Sequence, residues 1–404
     1  MRGKTLMKII VSSAGRFHAV HLAKQLEKLG HLKHFFSAGL SSKDFNNFAS
    51  KNLSFNWLVN FLDRVYVKFS GDRLISPSRW YTFRDGLFDC YVSHEIKKFL
   101  PCDLFVGWAN CSLKSMALLH SFGIKTVLES GSMHIKVQEH ILRTEYEKWG
   151  VKFSPVVKQN KEKMLAEYEL ADRICVPSSH VQASFIAQGI PAYKIIKVPY
   201  GIDFEKFGSN AKIITGKFKL IFVGQISLQK GILYLLDAWQ KLKLPATAAE
   251  LVLVGNLSAE CRAQVLKIVG QNKSINLVGP VPHAKIKNYL AQGNAFVLPS
   301  LQEGLAMVLG EAMAAGLPII ATTHTGAQEL ITHDNEGFLV PPCDSEVLAN
   351  SIQTLFLQPE LAAKMGNLAR NKAQTWSWAD YGLAMVEEYK KILTTQITKV
   401  YEHP

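Results

Sequence analysis

Apolar positions along the chain fall into two alternating rhythms. Short continuous runs rich in β-branched residues recur as DLFVGWA (103–109), KTVLES (125–130), RICVPSS (173–179), KIIKVPY (194–200), ELVLVGN (250–256), SINLVG (274–279), AFVLPS (295–300) and PIIATT (318–323). Longer stretches between them carry apolar residues at helical spacing. Continuous runs predict strands buried on both faces, and their alternation with helices predicts an α/β protein with parallel sheets. One pattern occurs twice, in MKIIVSSAGRFHAVHLAKQLEKLG at 7–30 and in FKLIFVGQISLQKGILYLLDAWQKL at 218–242. In both, a β-rich run enters a glycine-containing loop and then an amphipathic helix. This predicts two similar Rossmann-like halves, residues 1–209 and 210–376, joined through the polar stretch GIDFEKFGSNAKIITGKFK. The apolar spacing of TWSWADYGLAMVEEYKKIL predicts a last helix, and residues 377–404 are expected to cross back onto the first half. Ligands of open parallel sheets bind outside the carboxyl ends of the strands, so two such domains facing each other create a cleft.

Composition narrows the class. A chain of 404 residues with 48% hydrophobic and 20% charged content can bury two cores. The six cysteines contain no C-x-x-C pair, which argues against a zinc knuckle or a secreted disulfide framework and for a reducing, cytoplasmic setting. Lys8 interrupts the apolar run near the start, which reads as a first strand rather than a leader. No uncharged apolar stretch is long enough to span a bilayer, so a soluble or peripheral protein is expected. The net charge of +13 is uneven: residues 1–210 hold 29 basic and 18 acidic residues, and 211–404 hold 17 and 15. A basic first half suits nucleic acid, anionic lipid or a phosphorylated substrate. Within residues 54–84 the basic residues are interleaved with aromatics. That mixture fits a membrane interface, or equally a helix pair with one solvated basic side.

The stretch SLQEGLAMVLGEAMAAGLPIIATTHTG places Glu303 in a loop after a strand and Glu311 on the helix that follows. Between them, backbone N–H groups near Gly304, Leu305, Ala306 and Met307 form a helix N-terminus suited to phosphate oxygens or sugar hydroxyls. Two carboxylates beside such a terminus suit a ligand with both phosphates and vicinal hydroxyls, which describes a nucleotide sugar. They could equally complement a helix dipole on a solvated surface. Gly224 and Gly231 bracket another loop, and Lys230 stands where a cation could meet a diphosphate. The spacing is that of neither a Walker A loop nor G-x-G-x-x-G.

The segments ADRICVPSSHVQASFIAQGIPAYKIIKVPYGID, FVGQISLQKG and PSLQEGLAMVLGEAMAAGLPIIATTHTGAQELI…EGFLVPP resemble successive signatures of the retaining glycosyltransferases of family 4, which have the GT-B fold. The resemblance covers about residues 170–345 closely and 1–169 loosely. It implies that Glu311 binds the donor ribose, Glu303 orients the transferred sugar, and Lys230 neutralises the diphosphate. Gly15 corresponds to the glycine loop by which the first domain approaches that phosphate, and Val281 to a position whose backbone meets the base. Gln225 stands where the family commonly has arginine. Arg16 either compensates for that charge or is an exposed surface arginine. The stretch VLESGSMHIKVQEHILRTEYEKWG resembles a subset in which a loop histidine contacts the donor sugar or acceptor, which implies that role for His134. Glu129 is a second cleft position, outside the expected catalytic set.

The implied reaction moves a sugar from a nucleoside diphosphate to a saccharide or lipid-linked acceptor with retention, Lys230 and the helix N-terminus stabilising the departing diphosphate. No D-x-D sequence occurs, so no metal or other cofactor is expected. The expected setting is cell-surface polysaccharide or glycolipid synthesis, in the cytoplasm or peripherally on the anionic inner face of a membrane, with no nucleic-acid partner. Two rivals remain at this stage. A sugar-nucleotide epimerase can share the fold and pocket and needs no acceptor. A non-catalytic binding protein would use the basic half, although no nucleic-acid module signature is present.

Overall fold

The computed structural model describes residues 6–16, 18–40, 42–45, 48–69, 76–153, 155–208 and 216–394. The first domain holds seven strands: β1 (Ile9–Ser13), β2 (Leu32–Ser37), β3 (Leu53–Phe55), β4 (Leu104–Trp108), β5 (Lys125–Glu129), β6 (Arg173–Val176) and β7 (Ile195–Lys197). They form one parallel sheet in the order β3-β2-β1-β4-β5-β6-β7. The second domain holds six: β8 (Phe218–Val223), β9 (Ala249–Val254), β10 (Ile275–Gly279), β11 (Ala295–Leu298), β12 (Ile319–Thr322) and β13 (Gly337–Val340). Their order is β10-β9-β8-β11-β12-β13, again all parallel. The protein is therefore α/β with two Rossmann-like domains, the GT-B arrangement. Strands β1, β4, β11 and β12 are buried along their whole length, as helices on both faces require.

Three strands lie outside the sequence expectation. In β2 the run LKHFFS carries Lys33 and His34, which break the apolar continuity that marks a buried strand. The edge strands β3 and β13 have three and four residues. The expected linker ends inside the second domain, since Phe218 and Lys219 open β8, and residues 209–215 of it lie outside the described residues.

Trp378–Thr394 forms the last helix. Its buried residues Trp378, Tyr381, Gly382, Met385, Tyr389 and Ile392 recur at helical spacing and face the first domain. Trp378 stacks on His21 with ring centroids 3.9 Å apart, and Met385 Sδ lies 3.8 Å from Cys175 Sγ on β6. The chain thus crosses between domains twice, and the crossings touch: Ile202 N–H donates to the Trp376 carbonyl at 3.0 Å.

The aromatic, basic segment of the first domain folds into the helices Trp57–Phe69 and Pro77–Glu95. Trp80 stacks on Tyr66 and donates its indole N–H to Asp63 at 2.8 Å. Trp57, Phe61 and Phe83 are more than half exposed. Among the described residues no helix is long and apolar enough to cross a membrane.

Candidate active site

Both domains turn the carboxyl ends of their strands toward a shared cleft. In the second domain the loop after β8 runs through Gly224 and Lys230 to Gly231, which opens the helix Ile232–Leu242. Gly231 has φ +68°, and a Cβ there would come within 2.0 Å of the Pro299 carbonyl oxygen. Only glycine lets this loop lie against the one after β11. The approach brings Lys230 Nζ into an ion pair with Glu303 Oε1, so two residues 73 positions apart in the chain, both expected at the site, share one contact.

Beyond Glu303 the chain enters the helix Met307–Ala314. The N–H of Glu303 is bonded to the His324 carbonyl at 2.9 Å and that of Ala306 to the Thr325 carbonyl at 3.1 Å. The expected cradle of four free N–H groups is therefore smaller: Ala306 is already engaged. Gly304 and Leu305 are turned toward the first domain, where the Gly304 carbonyl accepts from Ser178 Oγ at 2.6 Å and Leu305 joins the wall of a cavity. Met307 is 40% exposed and lines the cleft.

Glu311 is buried, and its Oε1 lies 2.7 Å from His283 Nε2. Lys206 Nζ lies 2.8 Å from His283 Nδ1. An ammonium group only donates, so in this arrangement the imidazole carries its proton on Nε2 and donates it to Glu311. Glu311 and His283 line a cavity of about 390 Å³ with Arg16, Lys24, Lys206 and Trp378. His21 also lines it, but burial, aided by the charge of nearby Lys24, lowers its pKa to about 4 and keeps it uncharged at neutral pH. The charge of this cavity is thus set by three cations facing Glu311 and Asp203. Sequence reasoning missed Lys206 and His283. The signal was present for His283, two residues after Val281, while Lys206 stood in a stretch read only as linker.

Val281 is partly buried against the core just ahead of His283. Gln225 is exposed, donates its amide to Ser258 Oγ at 2.7 Å, and lines neither cleft cavity described here. Gly15 follows β1, and its carbonyl accepts from Ser13 Oγ at 2.9 Å. Arg16 reaches the cavity while its guanidinium engages Asp44 at 3.1 Å.

The domains approach closely where Gly304 faces Gly131. A Cβ on Gly304 would lie 1.9 Å from the Gly131 carbonyl oxygen. His180 Nε2 donates to the Glu303 carbonyl at 2.8 Å, and Gln138 donates to Gln302 at 3.2 Å. Beside this seam is a second cavity of about 320 Å³, whose lining includes His18, Trp108, Glu129, Tyr200 and Leu305.

His134, expected at the cleft, lies elsewhere. It is 2% exposed, lines neither cavity, and caps the helix Ile135–Lys148 by accepting from the Lys136 N–H at 3.3 Å. Its ring packs against Tyr168 and Phe185, and burial lowers its pKa to about 4. The correction has a local cause. A histidine directly before a helix can turn back onto that helix's free N–H groups, and here it does.

Two parallel-sheet domains with a loop carboxylate, a paired lysine and a cation-lined cavity define a class of cleft enzyme, and similarity to known proteins narrows it. Residues 203–372 match the family described as Glycosyl transferases group 1. The chain is 30% identical over 289 residues to the amylovoran biosynthesis glycosyltransferase AmsK of Erwinia amylovora, covering 69% of each chain. It is 29% identical over 195 residues to the putative colanic acid biosynthesis glycosyltransferase WcaL of Escherichia coli, covering 46% of this chain and 48% of that one. In structure it resembles sucrose-phosphate synthase from Thermosynechococcus elongatus, with TM-score 0.72, 19% identity, and 96% and 99% of the two chains covered. It also resembles Anabaena HepE, solved in complex with UDP and glucose, with TM-score 0.64, 18% identity, and 95% and 100% covered. The chain belongs to the group 1 glycosyltransferases.

Proposed function

We propose that the protein transfers a sugar, with retention at the anomeric carbon, from a nucleoside-diphosphate sugar to a saccharide or lipid-linked acceptor in polysaccharide synthesis. The observation that carries this reading is the Lys230–Glu303 ion pair on the loop that leads into the helix carrying Glu311. A cation there can neutralise a departing diphosphate, and a buried carboxylate can accept hydrogen bonds from paired ribose hydroxyls. In this reading Lys230 stabilises the leaving group and Glu303 orients the sugar. Gly15, Gln225, Val281, Gly304, Leu305, Ala306, Met307 and Glu311 surround the donor, and His283 holds Glu311 in place. Arg16, Lys24 and Lys206 supply further positive charge, so transfer needs no metal. Polysaccharide synthesis is the setting that the names of the amylovoran and colanic acid relatives support.

The bond to the diphosphate breaks as the acceptor hydroxyl attacks from the same face, its proton passing to a phosphate oxygen. A screen of UDP-, GDP- and ADP-sugars by thermal shift tests the donor site, because a ligand of the folded state raises the melting temperature by mass action. A stabilising nucleotide sugar that is converted without any acceptor would identify an epimerase instead.

The +9 balance of residues 1–100, 16 basic against 7 acidic, and the exposed Trp57, Phe61 and Phe83 support placement of the first domain on an anionic cytoplasmic membrane face. Flotation with anionic but not neutral vesicles is the expected result, and equal partitioning would leave a soluble acceptor. The six thiols, all unpaired, fit a reducing compartment.

A further inference from the structure

The stretch RICVPSSH has no part in the donor reading. It forms β6 and the turn into the helix Ser179–Ile186 of the first domain. The three polar residues after its proline nevertheless all bond to the second domain. Ser178, fully buried, donates its hydroxyl to the Gly304 carbonyl at 2.6 Å. The Ser179 N–H donates to Glu329 Oε1 at 2.6 Å, and Lys197 holds the other oxygen of that carboxylate at 2.9 Å. His180 Nε2 donates to the Glu303 carbonyl at 2.8 Å, and its Nδ1 lies 3.3 Å from the Gln328 amide nitrogen. A carbonyl only accepts, so Nε2 carries a proton whatever the charge on the ring.

These bonds converge on the main chain that carries Glu303. Its N–H is held inside the second domain, by the His324 carbonyl at 2.9 Å, whereas its carbonyl and the next one are held by the first domain. The residue before it, Gln302, is 1% exposed, and its side-chain oxygen accepts from Gln138 of the first domain at 3.2 Å and from Gln229, the neighbour of Lys230, at 3.1 Å. The residue after it, Gly304, abuts Gly131 so closely that no side chain fits there. The direction of this short turn is therefore set largely from the other domain. A carboxylate aimed at a sugar is sensitive to such a setting, since a displacement of about 1 Å costs on the order of 100-fold in rate.

We propose that His180 and Ser178 are positioning residues for the Glu303 carboxylate: by holding the carbonyls of Glu303 and Gly304 they aim it correctly only while this loop of the first domain is seated on the second. The proposal rests on the reading above, in which Glu303 orients the transferred sugar. It makes two parts of donor recognition separable. Arg16, Lys230 and Glu311, assigned to the phosphates and the ribose, have Asp44, Glu303 and His283 as their side-chain partners rather than Ser178 or His180. Loss of the two bonds should therefore spare the nucleotide and misdirect the sugar.

The test compares the full chain with His180→Leu, His180→Gln and Ser178→Ala. Glutamine places an amide N–H at about the reach of Nε2, so it should restore what leucine loses. Hydrogen exchange needs no ligand: the amides of residues 303–306 should exchange about fivefold to tenfold faster in His180→Leu and in Ser178→Ala, the range for one lost hydrogen bond, and near the parental rate in His180→Gln. Exchange across 218–242 should not change. Calorimetric affinities for UDP, GDP and ADP should also hold. Release of nucleoside diphosphate from UDP-glucose, GDP-mannose or ADP-glucose should fall about tenfold to 100-fold in His180→Leu and recover most of the way in His180→Gln. On a Glu303→Gln background the leucine substitution should cost less than about twofold more, because residues acting through one another are not additive. Exchange indifferent to His180→Leu and Ser178→Ala, exchange equal in His180→Leu and His180→Gln, or a rate loss additive with Glu303→Gln overturns the proposal, and Ser178→Ala still decides the matter if His180→Leu does not fold. Parental nucleotide release in Glu303→Gln alone would instead remove the reading of Glu303, a failure told apart because it leaves the exchange pattern as it was.

Discussion

The two domains share a strand order about their switch points and differ in what stands there. The second domain brings a lysine onto a carboxylate and lets a glycine loop press against the neighbouring strand end. The first sets an imidazole, an indole and a carboxylate around a hollow that no lysine or arginine lines. Topology decides where a ligand can sit, and the three or four residues after each strand decide its chemistry. One crevice is lined by cations facing carboxylates, the other by aromatic rings and a single carboxylate.

The largest effect expected from breaking this division is at Lys230. Lys230→Ala removes a positioned charge where, on the proposed reading, the diphosphate departs, so transfer should fall about 100- to 1,000-fold while the melting temperature holds. Parental turnover in that variant would place the diphosphate elsewhere. Next comes the seam between the crevices. Gly304→Ala puts a methyl group 1.9 Å from the Gly131 carbonyl and must part the domains. A misplacement of about 1 Å can cost about 100-fold in rate, so turnover should drop by that order although each domain stays folded. Turnover near the parental value would mean that the close approach is not used in transfer.

Glu311→Ala should weaken binding of the donor by about 1.5–3 kcal/mol, the worth of hydrogen bonds to a charged acceptor, as read by calorimetric titration. The smallest effect on chemistry is expected at His134. Its replacement by alanine should lower stability by about 1–3 kcal/mol through the lost cap and cavity, without changing the rate of transfer. The acid limb of stability gives its sign. Folded His134 binds a proton only near pH 4, whereas the unfolded chain binds it near 6.5, so this group makes stability fall as pH drops from 6.5 toward 4. His134→Asn, which keeps a capping acceptor, should flatten that limb. A rate loss with unchanged stability would restore His134 to the chemistry.

The second domain was largely legible in the sequence because its site is built from short segments. Glu303 and Glu311 sit on one loop and helix, and Lys230 lies between two glycines that announce a turn. Contacts across long separations were not legible. His18 and Glu129 are 111 residues apart, and nothing in either segment names the other. His283 and Lys206 likewise meet only because the stretch read as linker packs against the second domain. His134 shows the opposite failure, in which a histidine beside a plausible motif found a closer partner in its own helix. Strand β2 was missed because Lys33 and His34 interrupt a run whose burial depends on neighbours supplied from elsewhere.

The double crossing at Ile202 and Trp376 has a consequence for how the protein is made. The first domain is discontinuous in the chain, since its outer layer includes the helix Trp378–Thr394. Domains generally fold in the order of their synthesis, N-terminal first. Here every residue of the seven-stranded sheet emerges early, yet the surface beside His21 and Cys175 waits for Trp378 and Met385, which are synthesised after the six strands of the second domain. The second domain can complete its own six strands in the interval, so the domain begun first is completed after the strands of the one begun second.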